Sequence, residues 1–421
     1  MSEWVDVRLR DLCLSVDYGL TASAVADAVG PRFLRITDIV NGSFSWGRVP
    51  FVEASAEQAE KYRLHPGDIV IARTGATTGA SKWLQDAPDA VFASYLVRLK
   101  VSRAVDSRFV GYLLKSSQFK DYVQAVIGDK SAQPNASAAT LVNAPLRIPA
   151  ANATQRGIAC VLGALDDKIA INERIATAAD RLANTFFRRA FSRALDHIET
   201  GAPLPSEWAV STMGETTTVV ETGKRPKGGV AQYRSGIPSI GAESIVGLGR
   251  FDFAKTKFVP RDFFAAMRRG VLEDRDILVY KDGGKPGDFK PHVTLFGNGF
   301  PFSEMCINEH VYRVRMRPEI GQEFGYYWLC STPVMAEMRR RGTGAAIPGM
   351  NSTAFKGIPS VVPPQEEVAA FKELTAPLID RILTAAAESR SLATLRDTLL
   401  PQLMSGRLRV KDAEKIVEDA T

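Results

Sequence analysis

The chain has 421 residues, of which 45% are hydrophobic and 24% charged, and its formal net charge is +6 at pH 7. This length excludes a single small domain and predicts two or three domains, each able to bury a hydrophobic core. The basic excess favours a polyanionic partner but does not by itself establish one.

The cysteines Cys13, Cys160, Cys306 and Cys330 form no CxxC pair, so neither a disulfide framework nor a zinc framework is expected. The sequence begins without an apolar leader-like segment, and it contains no apolar run of about 18 residues. We therefore expect a protein of the reducing cytoplasm, with no signal peptide and no membrane span.

Short apolar runs rich in β-branched residues predict strands at 68–73 and 95–101, and helical spacing ending at a glycine predicts a helix at 107–128. The same succession returns later, with strands predicted at 276–281 and 310–316 and a helix at 323–342. These elements are typical of mixed α+β globules, whose strand order cannot be derived from one sequence.

Between the two groups, residues 154–195 carry apolar or small side chains at alternating steps of four and three. This spacing predicts one long helix, which at 1.5 Å per residue would measure roughly 60 Å. Its predicted seam comprises Ile158, Leu162, Leu165, Ile169, Ala176, Ala179, Ala183, Phe186 and Ala190. Asn172 is the polar member, and it either lies buried in the seam, where it can set helix register, or faces water.

Several motifs recur in the same order in the second half of the chain, which indicates an internal duplication. The pairs are SEW at 2–4 and 206–208, PRFLRITDI at 31–39 and GIPSIGAESI at 236–245, PGDIVIARTG at 66–75 and DRDILVYKDG at 274–283, SYLVRLKV at 94–101 and EHVYRVRM at 309–316, and Pro134-Asn135 and Met350-Asn351.

The long helix recurs at 366–406, with Asp380 of LIDRI in register with Asp167 of LDDKI. Pro377 predicts a kink or a frayed turn. Ala385 stands where the first helix has Asn172. The second predicted seam comprises Phe371, Leu378, Ile382, Ala385, Leu392, Leu399 and Leu403.

The predicted plan is therefore α+β, with two globular mixed α/β domains alternating with two long helices as a pseudo-twofold internal repeat. The expected ranges are a first globule at 1–150, a first long helix at 151–197, a second globule at 198–362, a second long helix at 363–410 and a C-terminal tail at 411–421.

Common catalytic patterns are missing from the sequence. It has no HExxH, GxSxG or P-loop motif, and its histidines form no metal-binding pair. FGNGF at 296–300 lacks the strand and helix context of a nucleotide loop and is expected to be a turn. Catalysis by this chain is left unsupported rather than excluded.

A loop rich in glycine and cations follows the DI strand in both halves. Glycines let backbone N–H groups approach phosphates, and a cation at Arg73 or Lys281 can pair with a guanine edge. The alternative is a pair of solvated hairpin turns. The candidate residues are Arg73, Thr74, Gly75, Thr77, Thr78 and Lys82 in the first loop, and Lys281, Gly283, Gly284, Lys285 and Lys290 in the second.

A second candidate in each half is the asparagine-bearing segment that precedes the long helix. Gln and Asn side chains can bond adenine, and arginines suit phosphates, but helix capping by Asn explains such residues equally well. The candidates are Lys130, Gln133 and Asn135, and Arg340, Arg341 and Asn351. Tyr18, Phe44 and Trp46 are expected mainly in the core, with contact to bases as the alternative.

In their order and duplication, the SEW starts, the DI motifs and the LDDKI and LIDRI helices resemble the specificity (S) subunit of type I restriction-modification enzymes over essentially the full length. The resemblance implies that the globules are target-recognition domains, each reading one half of a split sequence in double-stranded DNA. It also implies that the two helices pack antiparallel and set the gap between the half-sites.

The same resemblance implies partners. Two methyltransferase (M) subunits are expected to dock on the helices, to carry S-adenosylmethionine and to methylate adenine, and translocase-nuclease (R) subunits to join through them. This chain would then be non-catalytic, without a cofactor or metal of its own. The helix residues expected in the seam or in partner docking are Leu165, Ile169, Asn172, Phe186, Leu378, Ile382, Leu392 and Leu399.

Two other hypotheses stay open at this point. One is a stand-alone DNA-acting enzyme or nuclease built on duplicated domains, and the other is an interaction protein whose helices only dimerise.

Overall fold

The structure, a computed structural model, describes residues 3–40, 44–127, 134–254, 256–285, 288–342 and 348–419, apart from the side chain of Lys285. Contacts within the chain divide it into two compact units, Met1–Asp167 with Leu392–Thr421 (unit 1) and Lys168–Ser391 (unit 2). Both divisions fall inside long helices, so each unit contains part of both helices. The domain ranges expected from the sequence stay predictions.

Unit 1 is built on an antiparallel four-stranded sheet of order β2-β7-β4-β5, accompanied by an antiparallel pair β1-β8 and a parallel pair β3-β6. Its described strands are β1 Trp4–Arg8, β2 Cys13–Tyr18, β3 Arg32–Leu34, β4 Ile69–Ala72, β5 Ser81–Trp83, β6 Ala90–Phe92, β7 Leu96–Val101 and β8 Pro145–Pro149. Its described helices are α1 Ile36–Val40, α2 Ala56–Tyr62, α3 Ser107–Leu113, α4 Ser117–Ile127, α5 Ala138–Val142 and the start of α6 Asn152–Thr200.

Unit 2 has a second four-stranded sheet, of order β10-β20-β15-β18. Its described strands are β9 Ala209–Thr212, β10 Thr217–Thr222, β11 Ile237–Ile240, β12 Ile245–Gly247, β13 Arg250–Phe251, β14 Lys257–Val259, β15 Ile277–Tyr280, β16 Gly284–Lys285, β17 Asp288–Phe289, β18 Val293–Leu295, β19 Cys306–Ile307, β20 Val311–Met316 and β21 Pro359–Val362. Its described helices are α7 Met213–Thr216, α8 Arg261–Ala265, α9 Gln322–Cys330, α10 Thr332–Arg341, α11 Ser352–Lys356 and most of α12 Gln365–Met404, and α13 Val410–Glu418 follows in unit 1.

The two units repeat one topology. The sheet β2-β7-β4-β5 corresponds to β10-β20-β15-β18, the pair β1-β8 to β9-β21, and the parallel pair β3-β6 to β11-β19. This correspondence confirms the α+β class and the internal repeat. The predicted strands at 68–73, 95–101, 276–281 and 310–316 correspond to β4, β7, β15 and β20.

Two of the predicted helices are each divided in two. The helix expected at 107–128 is α3 and α4, and the one expected at 323–342 is α9 and α10. In unit 2 the division falls at Ser331, directly before Thr332-Pro333, because proline lacks the N–H that would continue the helix. In unit 1 the Ser116 hydroxyl donates to the Leu113 carbonyl at 2.6 Å, satisfying a helix-end acceptor.

The core of unit 1 lies around β4, whose four residues are all fully buried. A cluster that includes Leu34, Leu84, Phe92 and Leu96 packs there. Phe44 and Trp46 are half-buried against the same cluster, as expected of core aromatics, whereas Tyr18 is 47% exposed.

The core of unit 2 is an aromatic cluster on the long helices. Phe187 and Phe191 of α6 contact Phe324 of α9 and Phe371 of α12, with ring centroids 4.9–5.9 Å apart. FGNGF is a turn lying against α12, where Arg390 donates to the Gly299 carbonyl at 2.8 Å. The sheet and the helices of this unit thus share one core.

The two long helices run antiparallel within unit 2. The Asn172 side chain donates from Nδ2 to Glu388 Oε2 at 2.9 Å, while further along α6 Phe187 meets Phe371. Asn172 is only 1% exposed, which confirms the buried alternative for this residue, and its Oδ1 has no hydrogen-bond partner among the described residues. Whether Asn172 sets the register stays a prediction.

The predicted seam is correct at some positions and wrong at others. Leu165, Asn172, Ile382, Leu392 and Leu399 are buried, as expected. Ile169, Phe186 and Leu378 are only partly buried. Phe187 and Ile379, one position further along, are the residues fully inside the core. A straight helix drifts by about 20° per heptad from a strict seven-residue repeat, so a seam extrapolated over several heptads slips by one residue.

The long helices also differ from expectation in where they bend. α12 continues through Pro377, where a kink or frayed turn was expected. Instead α6 departs from helical geometry at Phe191, with φ −118° and ψ 20°. The aromatic cluster around Phe191 holds this distortion in place.

Replacing Phe187 and Phe186 separately tests the corrected seam. We expect Phe187→Ala to lower the free energy of unfolding of unit 2 by about 3–5 kcal/mol, because it leaves a cavity among four other aromatic rings. Phe186→Ala, the matched control, is expected to cost about 1 kcal/mol. Thermal and urea unfolding would measure both, and equal losses would contradict the corrected seam.

Candidate nucleic-acid interface

A buried arginine crosses the centre of each four-stranded sheet. Arg98 of β7 and Arg313 of β20 are 5% and 8% exposed. Arg98 bonds Asp17 of β2 at 2.9 Å, and Arg313 bonds Glu221 of β10 at 3.0 Å. Sequence reasoning missed these ion pairs, although the arginine repeated inside two apolar strands was a signal for them.

The aspartate of each DI motif stabilises the turn that precedes the strand, and the candidate loop follows the same strand. Asp68 accepts the His65 backbone N–H at 2.9 Å, and Asp276 accepts that of Glu273 at 2.7 Å. Asp276 also accepts from Arg313 at 2.6 Å. Burial raises the pKa of Asp276, although the neighbouring guanidinium acts in the opposite direction. These carboxylates fix where β4 and β15 begin.

After β4, the predicted loop and the predicted asparagine segment come together. The Gly75 N–H donates to the Pro134 carbonyl at 2.8 Å, and the Ala136 N–H donates to the Arg73 carbonyl at 2.8 Å. Thr74 and Asn135 form an isolated antiparallel bridge. We call residues 73–78 and 134–136 the first loop site.

Unit 2 has the same arrangement. The Gly283 N–H donates to the Pro348 carbonyl at 2.9 Å, and the Met350 N–H donates to the Lys281 carbonyl at 2.7 Å. Asp282 and Gly349 form the corresponding bridge. Residues 281–284 and 348–351 are the second loop site.

This geometry corrects the register inferred for the repeat. Pro134 corresponds to Pro348 and Ala136 to Met350, so Asn351 is the counterpart of Ser137 rather than of Asn135. Asn351 caps α11 by accepting the Ala354 N–H at 2.8 Å, as Ser137 caps α5. The alignment inferred from the sequence was wrong by two residues, because Pro134-Asn135 and Met350-Asn351 both contain an asparagine but are not structurally equivalent.

Each loop site holds its cation over a tyrosine ring. The Arg73 guanidinium lies 5.1 Å from the Tyr18 ring centre, and the Lys281 ammonium lies 5.6 Å from that of Tyr312. Tyr18 comes from β2 and Tyr312 from β20, so different strands supply the aromatic partner. Stacking restricts each cation to one place beside the loop.

The charges of the two loop sites differ. Lys281 pairs with Asp282 at 2.6 Å, and Asp282 also contacts His310 Nδ1 at 2.5 Å. The first site has Thr74 in the place of Asp282, and Arg73 Nε is buried without a hydrogen-bond partner among the residues that the structure describes. The first site is thus cationic, whereas the second is internally neutralised in part.

A cleft of about 530 Å³ opens beside the second loop site. Tyr280 and His292 stack on its wall with their rings 29° apart. Burial lowers the pKa of His292, with Arg339 acting in the same direction, and burial raises the pKa of Tyr280. Both rings are therefore uncharged near neutral pH. The lining residues are Ala242, Glu243, Ile245, Val246, Tyr280, Asp282, Gly283, His292 and His310.

Of the other predicted loop residues, Thr77 and Thr78 belong to the first loop site, whereas Lys82 and Lys290 lie outside both sites. Thr77 is exposed, while the Thr78 hydroxyl donates to the Gly75 carbonyl at 2.7 Å. Lys82 lies on β5 over the Phe44 ring at 4.9 Å, outside the first loop site. Lys290 is exposed and pairs with Asp288 at 2.9 Å.

Glycines permit the backbone of the second loop. Gly283 and Gly284 have φ of 137° and 112°, a region that disfavours other residues. A Cβ on Gly284 would lie 2.5 Å from the Asp288 carbonyl oxygen. Of the remaining candidates, Lys130, Gln133 and the side chain of Lys285 lie outside the described residues.

The predicted arginine cluster is held within α10 rather than in the loop site. Arg340 and Arg341 both bond Glu337, at 2.6 and 3.1 Å. Burial alone would raise the pKa of Glu337, but hydrogen bonds from these two arginines lower it. Arg340 is 70% exposed and so remains available to a polyanion.

Within the described ranges, no group of three or more His, Cys, Asp or Glu side chains is arranged to hold a metal ion. A search of the same residues finds no helix of the length and apolarity needed to cross a membrane.

Paired substitutions separate capping from contact with DNA. We expect Asn351→Ala to lower the free energy of unfolding of unit 2 by about 1 kcal/mol, because α11 loses its cap. Asn135→Ala removes an exposed side chain and is expected to change it by less than about 0.5 kcal/mol. Urea unfolding measures both, and an unaffected Asn351→Ala variant would contradict the capping role.

Comparison with known proteins agrees with the duplicated fold. The family model of the type I restriction modification DNA specificity domain matches residues 1–180. The type I restriction enzyme MjaIX specificity subunit of Methanocaldococcus jannaschii is 20% identical over 73% of this chain and 70% of its own length. The HindI specificity subunit of Haemophilus influenzae is 21% identical over 97% and 100%.

A crystal structure of the type I restriction-modification S subunit from M. genitalium has the same fold, with a TM-score of 0.57 and 15% identity over 96% of each chain. The ordered motifs, the repeated topology and these matches agree in one result: the chain is similar over nearly its full length to the specificity subunits of type I restriction-modification systems.

Proposed function

We propose that this specificity subunit reads a bipartite target in double-stranded DNA, with the first loop site contacting one half-site and the second loop site the other. The observation that carries the proposal is the repeated set of backbone hydrogen bonds. In each unit these bonds hold a cation-bearing, glycine-containing loop at the end of the corresponding strand, β4 or β15. Cations on glycine-containing loops of this kind suit phosphates and base edges.

The two half-sites are proposed to differ in sequence. Arg73 presents a planar guanidinium that can pair with guanine O6 and N7. At the corresponding place, Lys281 is engaged by the carboxylate of Asp282, which can itself accept from a base amino group. The same backbone therefore offers different hydrogen-bonding groups to DNA.

We further propose that the long helices set the gap between the half-sites and dock two methyltransferase subunits. These subunits would bind S-adenosylmethionine and methylate adenine, and restriction-translocase subunits would join through them. The specificity subunit would choose the target while its partners carry out the reaction, consistent with its family. The stand-alone enzyme and the dimerising protein are not favoured by the family match.

We propose that the docking surface lies on the exposed face of α6 and not on the buried seam residues. Leu165, Ile382 and Leu399 are covered inside the units, so they can stabilise the seam but offer no free surface. On α6, Ile171 and Leu182 are exposed at 48% and 44%, and helical spacing places them on one face. An exposed apolar stripe on a helix is a suitable surface for a partner subunit.

Co-expression with a methyltransferase subunit of the same restriction-modification system tests the proposal directly. Mapping of methylated adenines is expected to show one two-part sequence with a constant gap. Methylation without a bipartite pattern, or methylation that does not need this chain, would refute the proposed role.

Substitutions in the loop sites test the division of the target. We expect Arg73→Ala to weaken selection of bases in one half-site by about 1–3 kcal/mol, and Lys281→Ala to do so in the other half-site, because each cation belongs to one site. Arg189→Ala, on the exposed face of α6, is the control. Methylation of target libraries provides the measurement, and equal loss in both half-sites would indicate contacts to phosphates only.

Substitution of the exposed α6 stripe tests docking. We expect Ile171→Asp combined with Leu182→Asp to abolish co-purification with the methyltransferase subunit, because two charges enter the apolar contact. Val29→Asp, at another exposed apolar residue, should leave co-purification intact. Normal assembly of the α6 variant would place the docking surface elsewhere.

A further inference from the structure

Corresponding acids of the two long helices bind an arginine of the adjoining globule. Asp167 of α6 accepts two hydrogen bonds from Arg108 of α3, at 2.6 and 3.0 Å. Asp380 of α12, which has the same place in the repeated motif, forms an ion pair with Arg275 in the turn before β15. The arginines come from different elements, yet the helix position that receives them is the same.

Arg275 has an unusual backbone. With φ of 65° it is the non-glycine residue with positive φ among those the structure describes, and its counterpart in unit 1 is Gly67, with φ of 90°. A side chain in this left-handed region costs free energy that glycine avoids. The duplicated turn thus keeps an arginine where glycine fits better.

The ion pair with Asp380 does not offset the conformational free energy that the positive φ of Arg275 costs. The Asp380 carboxylate is 59% exposed, and an ion pair open to water contributes little to stability. A strained residue that stability does not explain points to a functional constraint on its side chain. The constraint visible here is contact between the turn that starts β15 and the long helix.

In unit 1 the long helix has a glycine at the place where the arginine side chain packs against it. A Cβ on Gly163 of α6 would lie 2.5 Å from Arg108 Cζ, so a glycine in mid-helix makes room for the guanidinium. Arg108 also donates to the Gly163 carbonyl at 2.9 Å. Glycine weakens a helix interior, so its presence here is explained by the arginine it accommodates.

Further polar contacts surround the first pair. Asp166 accepts from Tyr112 of α3 and from Arg396 of α12, both at 2.6 Å. Burial alone would raise the pKa of Asp166, but Lys115, Tyr112 and Arg396 lower it, so the acid is charged near neutral pH. Tyr112, near the end of α3, thereby contacts α6 directly and is connected to α12 through Asp166 within unit 1.

We infer that Asp167 with Arg108, and Asp380 with Arg275, are positioning pairs that hold each globule at a set angle on the long helices and so determine which gap between half-sites the complex accepts. The inference rests on the proposed reading of a bipartite target. Arg275 begins the turn that leads through β15 directly to Lys281, so rotation of this turn on α12 carries the second loop site with it.

The test uses the full-length chain assembled with its methyltransferase subunit and a library of targets whose gap is lengthened or shortened by one base pair. We expect Arg275→Gly and Asp380→Asn each to reduce the preference for the native gap by about threefold, the size of effect that a partly exposed ion pair supports. Half-site sequence preference should be unchanged. Glu373→Gln, an exposed acid on the same helix, is the matched control.

Two further measurements separate positioning from folding. Arg275→Gly removes the left-handed strain, so its melting temperature should equal or exceed that of the original chain. Exchange of the charges, Arg275→Asp with Asp380→Arg, should restore gap preference, since aspartate tolerates positive φ better than most residues.

The outcomes distinguish the two proposals. If the unaltered complex methylates no bipartite target, the proposed function fails. If it does, and the variants keep the original gap preference or lose methylation equally at every gap, the positioning role is refuted. Asp167→Asn repeats the test for unit 1, where a broadened gap preference is again expected.

Discussion

A buried guanidinium in the centre of each sheet organises both units of this protein. Arg98 and Arg313 lie on the middle strands β7 and β20, where a charge without partners would be costly. An acid of the neighbouring strand pairs with each of them, Asp17 in unit 1 and Glu221 in unit 2. Cross-strand pairing of these groups requires one register of the sheet, and the register determines where the loops after β4 and β15 emerge.

The loop sites show how a duplicated scaffold can hold two loops of different chemistry. Backbone groups make the hydrogen bonds that join each loop to its proline-containing segment, so these bonds do not depend on the side chains at positions 73, 74, 281 and 282. Arg73 and Thr74 can then be replaced by Lys281 and Asp282 without loss of the fold. The aromatic support moves from Tyr18 on β2 to Tyr312 on β20, again with the same geometry around it.

The long helices do two physical tasks within each unit. They bury aromatic and aliphatic side chains, as Phe187 and Phe371 do, and they present acids such as Asp167 and Asp380 to the globules. Burial provides most of the stability because it removes apolar area from water. The ion pairs are directional, so they suit the definition of an angle better than the provision of stability.

Much of the organisation was predictable from residue patterns. Recurrence of the SEW, DI, LDDKI and LIDRI motifs predicted the duplication, and apolar periodicity predicted the long helices. The prediction of Phe186 in the seam was wrong by one position, since the drift of a real helix depends on its path over many turns. The match of Asn135 to Asn351 was wrong for a similar reason, because short motifs do not define a register without the hydrogen bonds that set it.

The sequence by itself therefore determined the repeat, the fold class and the loops that carry cations, because local periodicity and repeated order encode them. Only the tertiary structure decided that the loop and the proline-containing segment form one site, that Asn351 caps a helix, and that Asp380 receives Arg275. These contacts join residues far apart in the chain. They depend on how strands and helices pack, which spacing along the sequence does not specify.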